Sequence, residues 1–88
     1  MNVTYYYIKD LNIVGKEVDY EYYLYQPGKG WTDDNDNLLM DRLMGYDESE
    51  PADSPYKIGN TSIMNLVKEI REEEANKIIE DLQISSAD

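Results

Sequence analysis

The chain has 88 residues, 41% of them hydrophobic, and nineteen acids against eight bases give it a formal charge of −11. A chain this short supports one small core, and with neither cysteine nor histidine it has no disulfide, no thiolate metal site and no Ser-His nucleophile. No apolar stretch approaches the roughly 20 residues that span a bilayer, and residues 1–5 lack the charged-then-apolar pattern of a secretion signal, so the expected setting is cytoplasmic with no membrane partner.

In chain order, residues 3–11 are rich in β-branched and aromatic side chains and run into Asn12 and Gly15, which predicts a strand and then a turn. Residues 17–26 alternate. Val18, Tyr20, Tyr22 and Leu24 fall on one face, and Glu17, Asp19, Glu21, Tyr23 and Tyr25 on the other, which predicts a second, half-buried strand antiparallel to the first. Pro27-Gly28-Lys29-Gly30 ends it, with proline preset for the second position of a type II turn and Gly28 able to take the positive φ that follows. Trp31 then serves as an anchor over the end of the sheet.

From Asp33 the period changes. Leu39 with Leu43 and Met40 with Met44 lie at i, i+4 behind Asp and Asn residues suited to capping, which predicts a helix over 37–44 closed by Gly45 in the left-handed region. Residues 46–56 contain Pro51 and Pro55, show no periodicity and read as an acidic loop. Asn60, Thr61 or Ser62 can cap a second helix through Ile63, Leu66, Val67 and Ile70. Ala75, Ile78, Ile79 and Leu82 repeat that spacing but begin five residues after Ile70. The slip implies either one helix with a local irregularity or, as the favoured reading, a break near residues 70–72 and then a third helix whose first turn holds Glu72, Glu73 and Glu74, where the helix dipole favours acids. The expected fold is α+β, a single domain over residues 1–84 with 85–88 frayed: an N-terminal Tyr-rich antiparallel β-hairpin packed against two or three C-terminal helices in the order ββααα. A two-stranded sheet is marginal in water, so the hairpin needs helix cover or a strand from a second subunit.

The charge is concentrated. Residues 33–56 hold eight acids (Asp33, Asp34, Asp36, Asp41, Asp47, Glu48, Glu50 and Asp53) and one base, Arg42. Such a field repels nucleic acid and attracts basic surfaces or cations. Asp33, Asn35 and Asn37 match the first three ligand positions of an EF-hand loop, but Leu38 stands where its glycine belongs and Met44 where its bidentate glutamate belongs. A solvated, over-capped helix start accounts for them better, and no metal or other cofactor is expected. Loop-borne carboxylates lack the fixed separation that acid-base pairs need. Lys9, Lys16 and the tyrosines are nominal bases that no spacing selects, so the chain reads as non-enzymatic. Gly28-Lys29-Gly30 is not a phosphate loop, because no GK[ST] triplet follows and aspartates open the next helix.

Nine tyrosines without a phenylalanine are the second compositional signal. Tyrosine offers large contact area at little conformational cost and keeps a polar tip. Strand alternation sets Tyr5 and Tyr7 opposite Tyr6, so one helical layer cannot bury them all. The exposed remainder beside Glu17, Asp19 and Glu21 reads either as a binding surface or as cross-strand pairing that covers a small sheet. Direct nucleic-acid binding is excluded electrostatically: aromatics that stack bases are accompanied by a basic groove, and Glu72, Glu73 and Glu74 stand where a helix-turn-helix would need cations.

The leading expectation is therefore a small acidic protein-protein interaction module whose partner has a basic surface. Its candidate contact residues are Asp33, Asp34, Asp36, Asp47, Glu48, Glu50, Tyr6, Tyr23, Tyr25 and Trp31. Carboxylates displayed along a surface imitate a phosphate row, so such a module can compete for a nucleic-acid-binding groove. In size and charge the chain resembles the small acidic proteins of phages and mobile elements, including inhibitors of restriction and CRISPR nucleases; no sequence motif carries the resemblance. The alternative is a structural or adaptor domain acting as a homodimer, with the acids serving solubility. A weak divalent-cation binder is third.

Overall fold

A computed structural model describes residues 2–86, and it turns the expected hairpin into a five-stranded sheet. The strands β1 (Val3–Ile8), β2 (Ile13–Val18), β3 (Glu21–Gln26) and β4 (Gly30–Asp33) follow one another as an antiparallel meander. Helix α1 (Leu38–Met44) and the single-turn α2 (Thr61–Met64) come next, then β5 (Val67–Ile70) and α3 (Glu72–Ser86). The order across the sheet is β4-β3-β2-β1-β5, antiparallel throughout. The α+β class and the strand-then-helix trend hold. Most of β2, with β4 and β5, is an addition, and these strands supply within one chain the cover a lone hairpin would lack.

Each departure has a local cause. The predicted second strand over 17–26 is the end of β2, a turn and β3, because Asp19 and Tyr20 both take positive φ, 49° and 72°, and close a two-residue hairpin turn. That backbone is the type I′ geometry, which matches strand twist but is usually built from Asn-Gly or Asp-Gly. The turn also reassigns the faces. Val18 lies opposite Glu21 and Glu17 opposite Tyr22, so Glu17 shares a face with Tyr22 and Leu24 and not with Tyr23. Tyr20 leaves the sheet altogether and is 87% exposed. Gly15, expected in a turn, lies inside β2, where a Cβ would meet Leu39 Cδ2 at 2.9 Å and the Tyr23 carbonyl oxygen at 3.2 Å. The predicted type II turn is present: Lys29 N–H donates to the Gln26 carbonyl at 2.9 Å, with Gly28 at φ 86°.

The expected second helix is one helical turn followed by a strand. Asn60 caps a single turn through Ser62 and Ile63 N–H, and Val67–Ile70 then pairs with β1, Ile8 opposite Val67 and Tyr5 opposite Ile70. A three-residue offset that shares one helical face sends strand side chains to opposite faces. Val67 accordingly packs in one core and Ile70 in the other. The predicted break after Ile70 and the glutamate-loaded first turn of α3 are as expected. Helix α3 runs to Ser86, and residues 87–88 lie outside the described residues.

Two small cores follow, one on each side of the sheet. On the first, Val14, Tyr25, Ile70 and Ala75 pack with Tyr5, Tyr7, Trp31, Ile78 and Ile79 beneath α3. On the second, Ile8, Leu24 and Leu39 pack with Tyr6, Ile13, Tyr22, Leu38, Leu43 and Val67 beneath α1. Ile8, Leu39 and Val14 are fully buried, each worth about 1.5–3 kcal/mol relative to exposure. Helix α1 presents Leu39 and Leu43 to the sheet and turns Asp41 and Arg42 away from it, the division that i, i+4 spacing produces. No described helix is long and apolar enough to cross a membrane.

Candidate functional site

The outer face of α1, the loop after it and α2 enclose a groove of about 440 Å³ lined by Asp36, Leu38, Asp41, Arg42, Tyr46, Glu48, Ile63 and Leu66. Its apolar part comes from Leu38, Tyr46, Ile63 and Leu66, and three carboxylates stand around it. Among the described residues, none of Asp36, Asp41 and Glu48 accepts a side-chain hydrogen bond or joins an ion pair. Its cation is already neutralised. Arg42 Nε and Nη2 donate to Asp10 at 3.1 and 2.7 Å, and Nη1 donates to the Leu38 carbonyl at 2.9 Å. These hydrogen bonds from Arg42 hold the Asp10 carboxyl below its ordinary value and raise the guanidinium's own.

The loop forming one wall is held from within. Lys57 Nζ donates to the Glu50 carbonyl at 2.6 Å and to that of Glu48 at 3.4 Å, and it sits 4.8 Å from the Tyr46 ring centroid. Asp47 accepts from Ser49 N–H and Oγ at 3.0 and 2.6 Å and from Asn60 Nδ2 at 3.2 Å. Those donors hold its carboxyl below the ordinary value, the Ser49 side chain first. The Glu50 carboxylate accepts from Ser54 Oγ at 3.1 Å. Lys57, Ser49 and Asn60 thus tie the loop together and leave the Glu48 carboxylate facing the groove.

The ten candidate residues do not form one surface. Asp36 and Glu48 line the groove, joined by Asp41, which the charge count included but the candidate set did not. Asp34 is 8% exposed and caps α1, accepting from Leu38, Leu39 and Met40 N–H at 2.7, 2.9 and 3.4 Å. Asp47 and Glu50 are engaged inside the loop. Tyr6 lies on the α1 face of the sheet near Glu17 and Glu69, and burial first, then those carboxylates, raise its hydroxyl above the ordinary value. Tyr25 is buried beneath α3 at 8% exposure, its hydroxyl accepting from Gln83 Nε2.

Tyr23, Trp31 and Asp33 belong to a separate shallow depression on the α3 face, completed by Val3, Tyr5, Lys16 and Val18. The Tyr23 hydroxyl donates to Glu21 at 2.8 Å, which raises its pKa. Trp31 sits edge-on to Tyr25 at 5.4 Å and tilted to Tyr5 at 6.2 Å, with Lys16 Nζ 4.2 Å above its ring. The anchoring role expected of Trp31 is thus exercised from within β4. Residues missed by sequence reading include Ile63 and Leu66, which were assigned to a helix core; the strand at Val67 releases them to the groove.

The described residues contain no group of three or more side chains able to hold a metal ion. No protein-family model, curated protein or solved structure matches the chain.

Proposed function

We propose that the chain is a protein-binding module whose acidic groove receives a basic segment of a partner. The observation that carries this reading is the set of three unpaired carboxylates, Asp36, Asp41 and Glu48, around an apolar floor. Acids lining one groove give it a negative field, and a partner's lysines or arginines are drawn to that field while its apolar side chains cover Leu38, Ile63 and Leu66. A partner whose basic surface otherwise binds nucleic acid fits the same chemistry, and in that case the module acts as an inhibitor by occupying the phosphate-binding groove.

The test is affinity capture from lysate at low and high salt, followed by nucleic-acid competition on the purified partner. A variant with Asp36→Asn, Asp41→Asn and Glu48→Gln runs alongside. Asp34 and Asp47 stay unchanged, because neutralising them would probe folding instead of binding. Expected is capture of one basic protein that falls steeply with salt, is lost in the variant and is displaced by DNA or RNA. Capture indifferent to salt and to the variant would refute the groove; capture that DNA and RNA leave untouched would refute inhibition by competition.

A further inference from the structure

The free edge of the sheet at β4 carries a second signal, separate from the groove. In an antiparallel pair, opposed residues alternate between those that exchange backbone hydrogen bonds and those that do not. Asp34 N–H donates to the Tyr22 carbonyl at 3.0 Å, so the next bonding pair is Leu24 with Thr32. Tyr25 with Trp31 and Tyr23 with Asp33 are the non-bonding pairs. The N–H and C=O of Trp31 and the N–H of Asp33 therefore face away from the sheet, while the Asp33 carbonyl accepts from Asn35 N–H at 2.9 Å.

Cross-strand rows on the α3 face say what fits beside them. One row runs Ile70, Tyr5, Lys16, Tyr23, Asp33. It sets a cation between two aromatic rings, with Lys16 Nζ 5.8 Å from the Tyr23 centroid, and it ends at the edge on an exposed carboxylate. The neighbouring row ends Tyr25, Trp31. Opposite charges and aromatic with β-branched residues are the favourable cross-strand partners. The next strand along would thus place a lysine or arginine opposite Asp33 and, two residues away on the same face, a β-branched side chain opposite Trp31.

We infer that the β4 edge is a strand-addition site for an extended basic segment of a partner protein, paired through the outward backbone groups of Trp31 and Asp33 and read by Asp33 and the Trp31 ring. Edge strands commonly carry charge, a proline or a cover that discourages such pairing. Here the strand has one charge at its end, no proline, and, among the described elements, only β3 as a substantial neighbour.

Trp31 is the single tryptophan, so its fluorescence reports occupancy of this edge directly. The probe is a capped hexapeptide that alternates threonine with lysine and valine, titrated into the unaltered protein. The expected result is a saturable shift of tryptophan emission. N-methylation of the peptide's valine, which blocks the backbone bonds, weakens binding by about tenfold or more. Asp33→Asn, at an exposed position, weakens it by about two- to fivefold. The triple groove variant responds as the unaltered protein does, which separates this site from the groove. No emission change up to millimolar peptide overturns the inference, as does an equal response to the N-methylated peptide. An emission shift that follows protein concentration without peptide also overturns it, and assigns the edge to a second copy of the chain.

Discussion

Three backbone N–H groups at the start of α1 converge on Asp34, and this one side chain decides where the helix begins. Asn37, the residue adjoining the helix, is in the left-handed region at φ 56° and makes no side-chain cap, so the carboxylate four residues before Leu38 does the work. Asp34→Ala leaves those donors without their acceptor in a buried setting and is expected to cost about 1–2 kcal/mol. Urea unfolding should show it as a lower midpoint at unchanged slope, and an unaltered midpoint would mean that water caps the helix equally well. The sequence showed a run of acids suited to capping, but not which acid caps. Asp33, Asp34 and Asp36 are chemically near-equivalent in one dimension. Only the path from β4 into α1 makes the first an edge residue, the second a buried cap and the third a groove wall.

At the scale of elements, legibility followed how local the determining forces were. The type II turn at Pro27-Gly28, the Gly45 terminator and the glutamate-loaded start of α3 depend on a few adjacent residues, and all three are present as expected. β5 depends on a partner far away in the chain, since Val67–Ile70 becomes a strand only by pairing with β1, Ile8 opposite Val67 and Tyr5 opposite Ile70. Nothing within residues 60–70 records that partner, and the helical periodicity there was a coincidence of apolar spacing. The β2–β3 turn lies between these cases. It is short and local, but Tyr20 occupies a positive-φ position at 72° that glycine fills at no steric cost. Tyr20→Gly is therefore expected to stabilise the protein by about 0.5–1 kcal/mol, since relief of the left-handed strain outweighs glycine's extra freedom in the unfolded chain. Thermal and urea unfolding check the sign. A net loss would show that the largely exposed Tyr20 ring contributes packing that its 87% exposure does not suggest.

Across the whole molecule, the formal charge of −11 opposes folding through self-repulsion, and the groove gathers three acids that form no ion pair among the described residues. Arg42 serves Asp10, and Lys57 serves loop carbonyls and the Tyr46 ring. If Asp36, Asp41 and Glu48 are kept for a partner, the free protein is less stable for having them. Neutralising all three should then raise the melting temperature by about 2–6 °C at low ionic strength, the shift expected for roughly 0.5–1 kcal/mol in a domain of this size. Added salt should raise the unaltered protein's melting temperature by a similar amount and narrow the difference between the two, because screening acts on the same repulsion. Stability and binding then move in opposite directions on the same three substitutions, a pattern that acids serving only as a solvated surface have no reason to produce. A variant that melts lower would place these carboxylates among the contacts that hold the fold, and its loss of binding would no longer speak for the groove.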